Sequence, residues 1–130
     1  MSLVAEVVSV KAVPAGSGVS YGYSYRTAGD TTLSLVGLGY ADGVPRLASN
    51  RASVWIADGP HPLVGRVAMD QLVVETGGAR VTIGDEAVVF GDPALGHPSA
   101  WQLAEQTSRT ALELTAGIGQ RVRRVEAWHG

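Results

Sequence analysis

Glycine-centred turns interrupt this chain so often that few folds remain open to it. Its 17 glycines are spread through 130 residues as punctuation between short Val-, Leu- and Ile-rich runs. Long helices need uninterrupted stretches, whereas short strands joined by tight turns tolerate such spacing. The runs themselves read as strands. "SLVAEVVSVKAV" (2–13) is Val-rich and partly alternating, and "PAGSG" turns the chain after it. "VSYGYSYR" (19–26) reads as a second strand, with "TAGD" (27–30) as a hairpin-type turn. "TTLSLVGLG" (31–39) reads as a mostly buried strand that "YADGVPR" breaks. "ASVWIADG" (52–59) alternates and ends in an Asp58-Gly59 turn. "PLVGRVAMD" (62–70) is strand-like, and "QLVVET" (71–76) continues it or pairs with it. "RVTIGDEAVVFGD" (80–92) reads as strand, turn, strand around Gly84-Asp85. Strands at roughly 8–12-residue spacing indicate a barrel or a sandwich.

The tail has a different pattern. Ser99 followed by Gln102, and Thr110 followed by Glu113, each have the spacing of a helix-capping box. They predict two short helices, over 99–106 and 108–116, with Gly117 or Gly119 as the stop. "RVRRVEAW" (121–128) reads as a final strand. With no linker, internal repeat or low-complexity segment, 1–130 reads as a single domain. The opening Met1-Ser2-Leu3 reads as a cloning scar and is given no structural weight.

Composition narrows the function classes. The net charge of −2 and the pI near 5.8 give no general attraction to nucleic acid or anionic membrane. There is no cysteine, hence no disulfide staple and no thiolate nucleophile. His61, His97 and His129 lack metal-ligand spacing, so no metal site is expected. No apolar run approaches the roughly 20 residues of a membrane span. No charged segment precedes an apolar one as in a signal peptide. The expected location is the cytoplasm.

Familiar catalytic signatures are missing: there is no Gly-x-Ser-x-Gly elbow and no Walker-type phosphate loop. "GLGYADG" has neither the third glycine nor the following helix of a dinucleotide site. The one lysine, Lys11, sits early on a strand and reads as a solvated surface residue rather than a cofactor anchor. Three segments stand out against this background. In "VSYG", Tyr21 lies beside Gly22, a residue that lets another chain or a ligand come close. In "GYADGVPR", Tyr40 and Asp42 are set among turn formers with Arg46 just behind. In "VGRVAMDQ", Arg66 and Asp70 flank Met69 at the end of an apolar run. Taken singly, each has an ordinary reading as core aromatic or surface ion pair.

In this order and together, the three segments resemble the C-terminal domain of alanine racemase. The similar region runs from about Val7 to Arg124 and includes "VVSVKAVPAGSGVSYGYSYR", "VGLGYADGVPRLASN", "PLVGRVAMDQLVV" and "TIGDEAVVFG". The resemblance implies a Greek-key-like β-barrel of about six to nine strands with two short helices near the C-terminus. It further implies a two-domain enzyme that uses pyridoxal 5'-phosphate to interconvert L- and D-alanine, the latter for peptidoglycan. An N-terminal barrel domain would hold the cofactor through its own lysine, and no segment of this chain matches that motif. The enzyme would be a head-to-tail homodimer in which this domain reaches over the barrel mouth of the partner subunit.

The resemblance also assigns roles. Tyr21 is implied as the second catalytic acid/base, serving the face of the substrate Cα opposite the barrel lysine. Met69 is implied to bind the substrate carboxylate through its backbone N–H. Tyr40, Arg46, Arg66, Asp70 and Ile118 correspond to entrance residues. Two opposed bases suit racemisation, since a proton leaves one face and another arrives at the other. A free tyrosine has a pKa near 10, so a positive or hydrogen-bonding neighbour must favour its phenolate. Tyr23 and Tyr25 read as packing on the strand or lining the interface. Where some family members carry a phosphate-binding tyrosine before the final "RV", this chain has Gln120, which retains hydrogen-bonding capacity. Arg109 and Leu112 replace a common Thr and Tyr, and Arg109 is expected at the surface. The alternatives are a racemase for another small amino acid such as serine, and a stand-alone β-barrel binding module without catalysis. The domain in isolation is expected to be inactive.

Overall fold

The structure is a computed structural model that describes residues 2–19, 25–120 and 122–124. Its strands are β1 (Leu3–Val13), β2 (Gly18–Val19), β3 (Tyr25–Arg26), β4 (Thr31–Val36), β5 (Ser53–Ile56), β6 (Gly59–Val64), β7 (Leu72–Glu75) and β8 (Glu86–Phe90). Helices α1 (Ala100–Gln106) and α2 (Ala111–Ala116) follow. Six strands close into an antiparallel barrel in the order β1-β4-β7-β6-β5-β8. The β5-β6-β7 meander with β8 returning beside β5 is a Greek key, as expected.

The long strand β1 closes the barrel. Its first half pairs with β8 (Val4 with Val88) and its second half with β4 (Val10 with Ser34). Period-two alternation sends Val7, Val36, Val54, Ile56, Leu63, Leu72 and Val74 into the core, each at most 2% exposed. Leu3, within the strand expected over 2–13, is a core residue and the cross-strand partner of Phe90. Ser34 is the polar exception inside, and its hydroxyl meets that of Thr76 at 2.9 Å, so the buried group is satisfied. Helices α1 and α2 add Leu103, Ala104 and Leu114, and the segment after α2 adds Ile118, to the same apolar cluster as Phe90.

Both helix caps form as the sequence predicts. The Ser99 hydroxyl accepts from Gln102 N–H, and Thr110 accepts from Glu113 N–H. The second helix begins later than expected, because Ser108 takes a left-handed φ of 56° that no helical residue adopts. Arg109 is exposed, as expected.

Several expected strands are shorter or divided. Val19 and Tyr25 are antiparallel partners, so the ends of "VSYGYSYR" belong to two strands rather than one. "TAGD" leads into β4 but is no hairpin, since β3 pairs with β2 and not with β4. The β5–β6 turn residues are Ala57 and Asp58, and Gly59 is already the first residue of β6. β6 stops at Val64 because Gly65 has φ 76°, and "GRVAMD" becomes a loop. Val81 and Thr82 form no strand before β8. Within the expected final strand, 122–124 are not in a strand, and the remainder lies outside the described residues.

Candidate active-site groove

The loop that replaces the end of β6 borders a surface groove. A groove of about 760 Å3 is lined by Tyr40, Arg46, Ser49, Arg66, Val67, Met69, Gln71 and neighbouring residues. Two turns and one loop build it. Tyr40–Asp42 and Arg46–Ala48 are single 3-10 turns after β4, and 66–70 is the loop after β6.

The first turn is locked from beneath. Asp42, 5% exposed, accepts from Gly39 N–H through Oδ2 at 3.0 Å, while its own N–H donates to Gly39 O. This spares a buried amide the cost of lacking a partner. The loop then docks edge-on. Tyr40 N–H donates to Ala68 O and Ala41 N–H to Met69 O, both at 3.0 Å. Such an approach requires Gly39, because a Cβ there would run into the carbonyl oxygens of Ala68 and Met69. The Arg46 guanidinium lies over the Tyr40 ring at 4.5 Å from its centre.

Of the residues singled out in the sequence, Tyr40, Arg46, Arg66 and Met69 thus share one groove. Asp70 is exposed beside Met69 on the same loop. Ile118 is elsewhere: it is buried behind the Tyr40–Asp42 turn, where Gly119 N–H donates to Asp42 O, and it does not line the groove. Gln120 is exposed two residues further on. Tyr21 and Tyr23 lie outside the described residues.

A second cleft, of about 240 Å3, runs between the β2–β3 ribbon and the outer barrel face. Lys11, Val19, Leu33, Leu35 and Val73 line it, and Val73 also borders the main groove. Val19 is 2% exposed, so the ribbon is packed onto the barrel rather than projecting from it. Across that face the Tyr25 hydroxyl donates to Glu75 Oε1 at 3.1 Å. Desolvation of the half-buried phenol, followed by its bond to Glu75 and that carboxylate's charge, raises the Tyr25 pKa above its ordinary value. Tyr25 therefore has a polar anchoring contact as well as the packing role expected of it.

Ser49 and Asn50 play a part that no sequence motif pointed to. Ser49 Oγ accepts from Val67 N–H at 2.8 Å and Asn50 Oδ1 from Gly65 N–H at 2.6 Å. Their signal was available only as "SN" after a turn, a pair whose side chains often bond nearby backbone.

The family model described as "Alanine racemase, C-terminal domain" matches residues 1–126. This chain belongs to the alanine racemase C-terminal domain family. An alanine racemase of Streptomyces coelicolor is 49% identical over 96% of the chain, which covers 32% of that relative. The crystal structure of the enzyme from D-cycloserine-producing Streptomyces lavendulae superposes with a TM-score of 0.95 at 46% identity, covering 98% of this chain and 34% of that one. The enzyme from Bartonella henselae, solved with covalently bound pyridoxal phosphate, gives a TM-score of 0.89 at 28% identity over 95% of this chain and 34% of that one. The chain spans about a third of the length of these relatives.

That proportion matters for the cofactor. A covalent anchor for pyridoxal phosphate would need a lysine held in a pocket. The lone lysine, Lys11, is exposed on β1 along the outer cleft, and Gln120 is exposed as well. Among the described residues no three His, Asp or Glu side chains cluster to hold a metal. No described helix is long and apolar enough to cross a membrane.

Proposed function

We propose that this single domain serves a cytoplasmic, pyridoxal-phosphate-dependent alanine racemase, supplying a proton-transfer group and part of the substrate entrance. The observation that carries this is the convergence of Tyr40, Arg46, Arg66 and Met69 on one groove. These residues are separated in sequence, and only the docking of the 66–70 loop on the Gly39 turn unites them. The groove shares Val73 with the cleft beneath the β2–β3 ribbon, the element whose strands flank Tyr21 in sequence.

In this proposal the cofactor sits on a separate barrel domain, held by that domain's lysine, and the groove faces the barrel mouth of the partner subunit in a head-to-tail homodimer. The substrate is alanine. Its carboxylate is received by Met69 N–H, a donor whose position is fixed before the substrate arrives. Tyr21 works on one face of Cα: as phenolate it accepts the Cα proton, and as phenol it returns a proton to the same face in the reverse direction. The barrel lysine performs the complementary transfer on the other face. Tyr40 with Arg46 above it narrows the entrance and excludes larger side chains, and Arg66 and Asp70 shape the approach. Ile118 then supports the entrance from behind the Tyr40 turn.

The test is Tyr21→Phe in the full-length enzyme, followed by deuterium uptake from solvent into each alanine enantiomer. Exchange should be lost from one enantiomer far more than from the other. Equal retention from both would sink the role of Tyr21. The 130-residue chain alone, mixed with cofactor, should show no turnover.

A further inference from the structure

Two adjacent side chains take over where the β6 ladder ends. Backbone pairing of β6 on the β5 side ends, among the described residues, with Leu63 N–H donating to Ala52 O, yet the amides of Gly65 and Val67 are each satisfied. Gly65 N–H donates to Asn50 Oδ1 at 2.6 Å, and Val67 N–H donates to Ser49 Oγ at 2.8 Å. Bonding alternate amides is what a neighbouring strand would do. The Ser49 hydroxyl donates in turn to Arg46 O at 2.6 Å, so its hydrogen is already engaged although it borders the groove. Asn50 reaches its position through a left-handed φ of 60°, a conformation asparagine tolerates better than most residues.

The loop is therefore held from both directions. Upstream, Ser49 and Asn50 fix Gly65 and Val67. Downstream, Ala68 and Met69 carbonyls are fixed by Tyr40 and Ala41 amides, and Ala68 N–H donates to Gln71 O. Met69 itself is 52% exposed at the groove, so its side chain contributes little burial to its own placement. The backbone there is set by neighbours instead.

We propose that Ser49 and Asn50 are positioning residues for substrate binding, holding the Met69 backbone for the substrate carboxylate and tying it to Arg46 at the entrance. The proposal rests on the assignment of carboxylate recognition to Met69. Because the clamp acts before chemistry, its loss weakens carboxylate binding and leaves the proton-transfer step intact.

The experiment uses the full-length holoenzyme with Ser49→Ala, Ser49→Thr, Asn50→Gly and Met69→Pro. Propionate serves as a non-reacting carboxylate probe through its competitive inhibition constant, and hydrogen exchange reports on 65–70. Asn50→Gly removes the acceptor while keeping the left-handed backbone accessible. Ser49→Ala and Asn50→Gly should speed exchange in 65–70 and raise both KM and the propionate constant roughly three- to tenfold, the loss of about one hydrogen bond, with kcat nearly unchanged. Ser49→Thr should restore both. Faster exchange with an unchanged propionate constant overturns the clamp, as does unchanged exchange. If Met69→Pro binds propionate like the parent enzyme, the carboxylate role of Met69 fails and the clamp's purpose with it. If Met69→Pro loses propionate while Ser49→Ala and Asn50→Gly do not, the clamp alone fails.

Discussion

The guanidinium of Arg46 stands 4.5 Å from the centre of the Tyr40 ring, and both side chains border the groove. A cation over the ring face holds a phenol that is 38% exposed. Removing the cation frees the ring without altering the turn beneath it, which rests on backbone and Asp42 contacts.

Arg46→Ala in the full-length enzyme should therefore relax size selection. The contact is of the order of 0.5–1 kcal/mol, which corresponds to roughly a two- to fivefold fall in the kcat/KM ratio of alanine over serine. Arg46→Lys should retain most of the ratio. Steady-state kinetics with both amino acids measures it, and an unchanged ratio in Arg46→Ala would remove the pair from the entrance.

Gly39→Ala probes the docking of the loop. The added methyl collides with two backbone carbonyls, those of Ala68 and Met69, which cannot swing aside as a flexible side chain would. The variant should lose about 1–3 kcal/mol of stability and melt several degrees lower. Thermal unfolding of the 130-residue domain reads this directly. A melting temperature equal to the parent's would mean that the loop is not held against the turn.

How much of this was visible beforehand differs by element. The barrel strands were legible because alternation at Val54 and Ile56, or Leu72 and Val74, reports one buried face. The helix caps were legible because Ser99 and Thr110 act over three residues of sequence. The groove was not. "PLVGRVAMD" has strand-like composition, and only the positive φ of Gly65 together with the Tyr40 and Ala41 amides turns it into a docked loop. Period two also failed for "VSYGYSYR", because the pairing of Val19 with Tyr25 is a tertiary fact that no local pattern encodes. Tyr40, Arg46, Arg66 and Met69 line one groove because they meet through turns and not along one strand, which periodicity does not encode.

The β5–β6 hairpin offers a gain in stability. Ala57 has φ 61° at the first of two loop residues, the position a type II′ turn gives to glycine. A left-handed alanine costs roughly 1–2 kcal/mol, and glycine's larger unfolded-state entropy returns about 0.5–1 kcal/mol of that. Ala57→Gly should thus stabilise by several tenths of a kcal/mol to about 1 kcal/mol. Urea unfolding at constant m-value is the measurement. A drop in the midpoint would show that the turn does not strain Ala57.

Tyr25 makes the domain's stability depend on alkaline pH. Partial burial, the bond to Glu75 and that carboxylate's charge all favour the neutral phenol, so its pKa in the folded chain lies above the ordinary 10.0. The folded state then holds its proton more tightly than the unfolded state. Stability from this source is complete below the unfolded pKa and is lost as pH rises through the folded one. Tyr25→Phe should accordingly cost stability near neutral pH, where the bond to Glu75 is lost. Above about pH 10 the gap between parent and variant should narrow. Thermal unfolding from pH 7 to 11 tests this, and a gap that stays constant across the range would show that the Tyr25–Glu75 bond does not discriminate between phenol and phenolate.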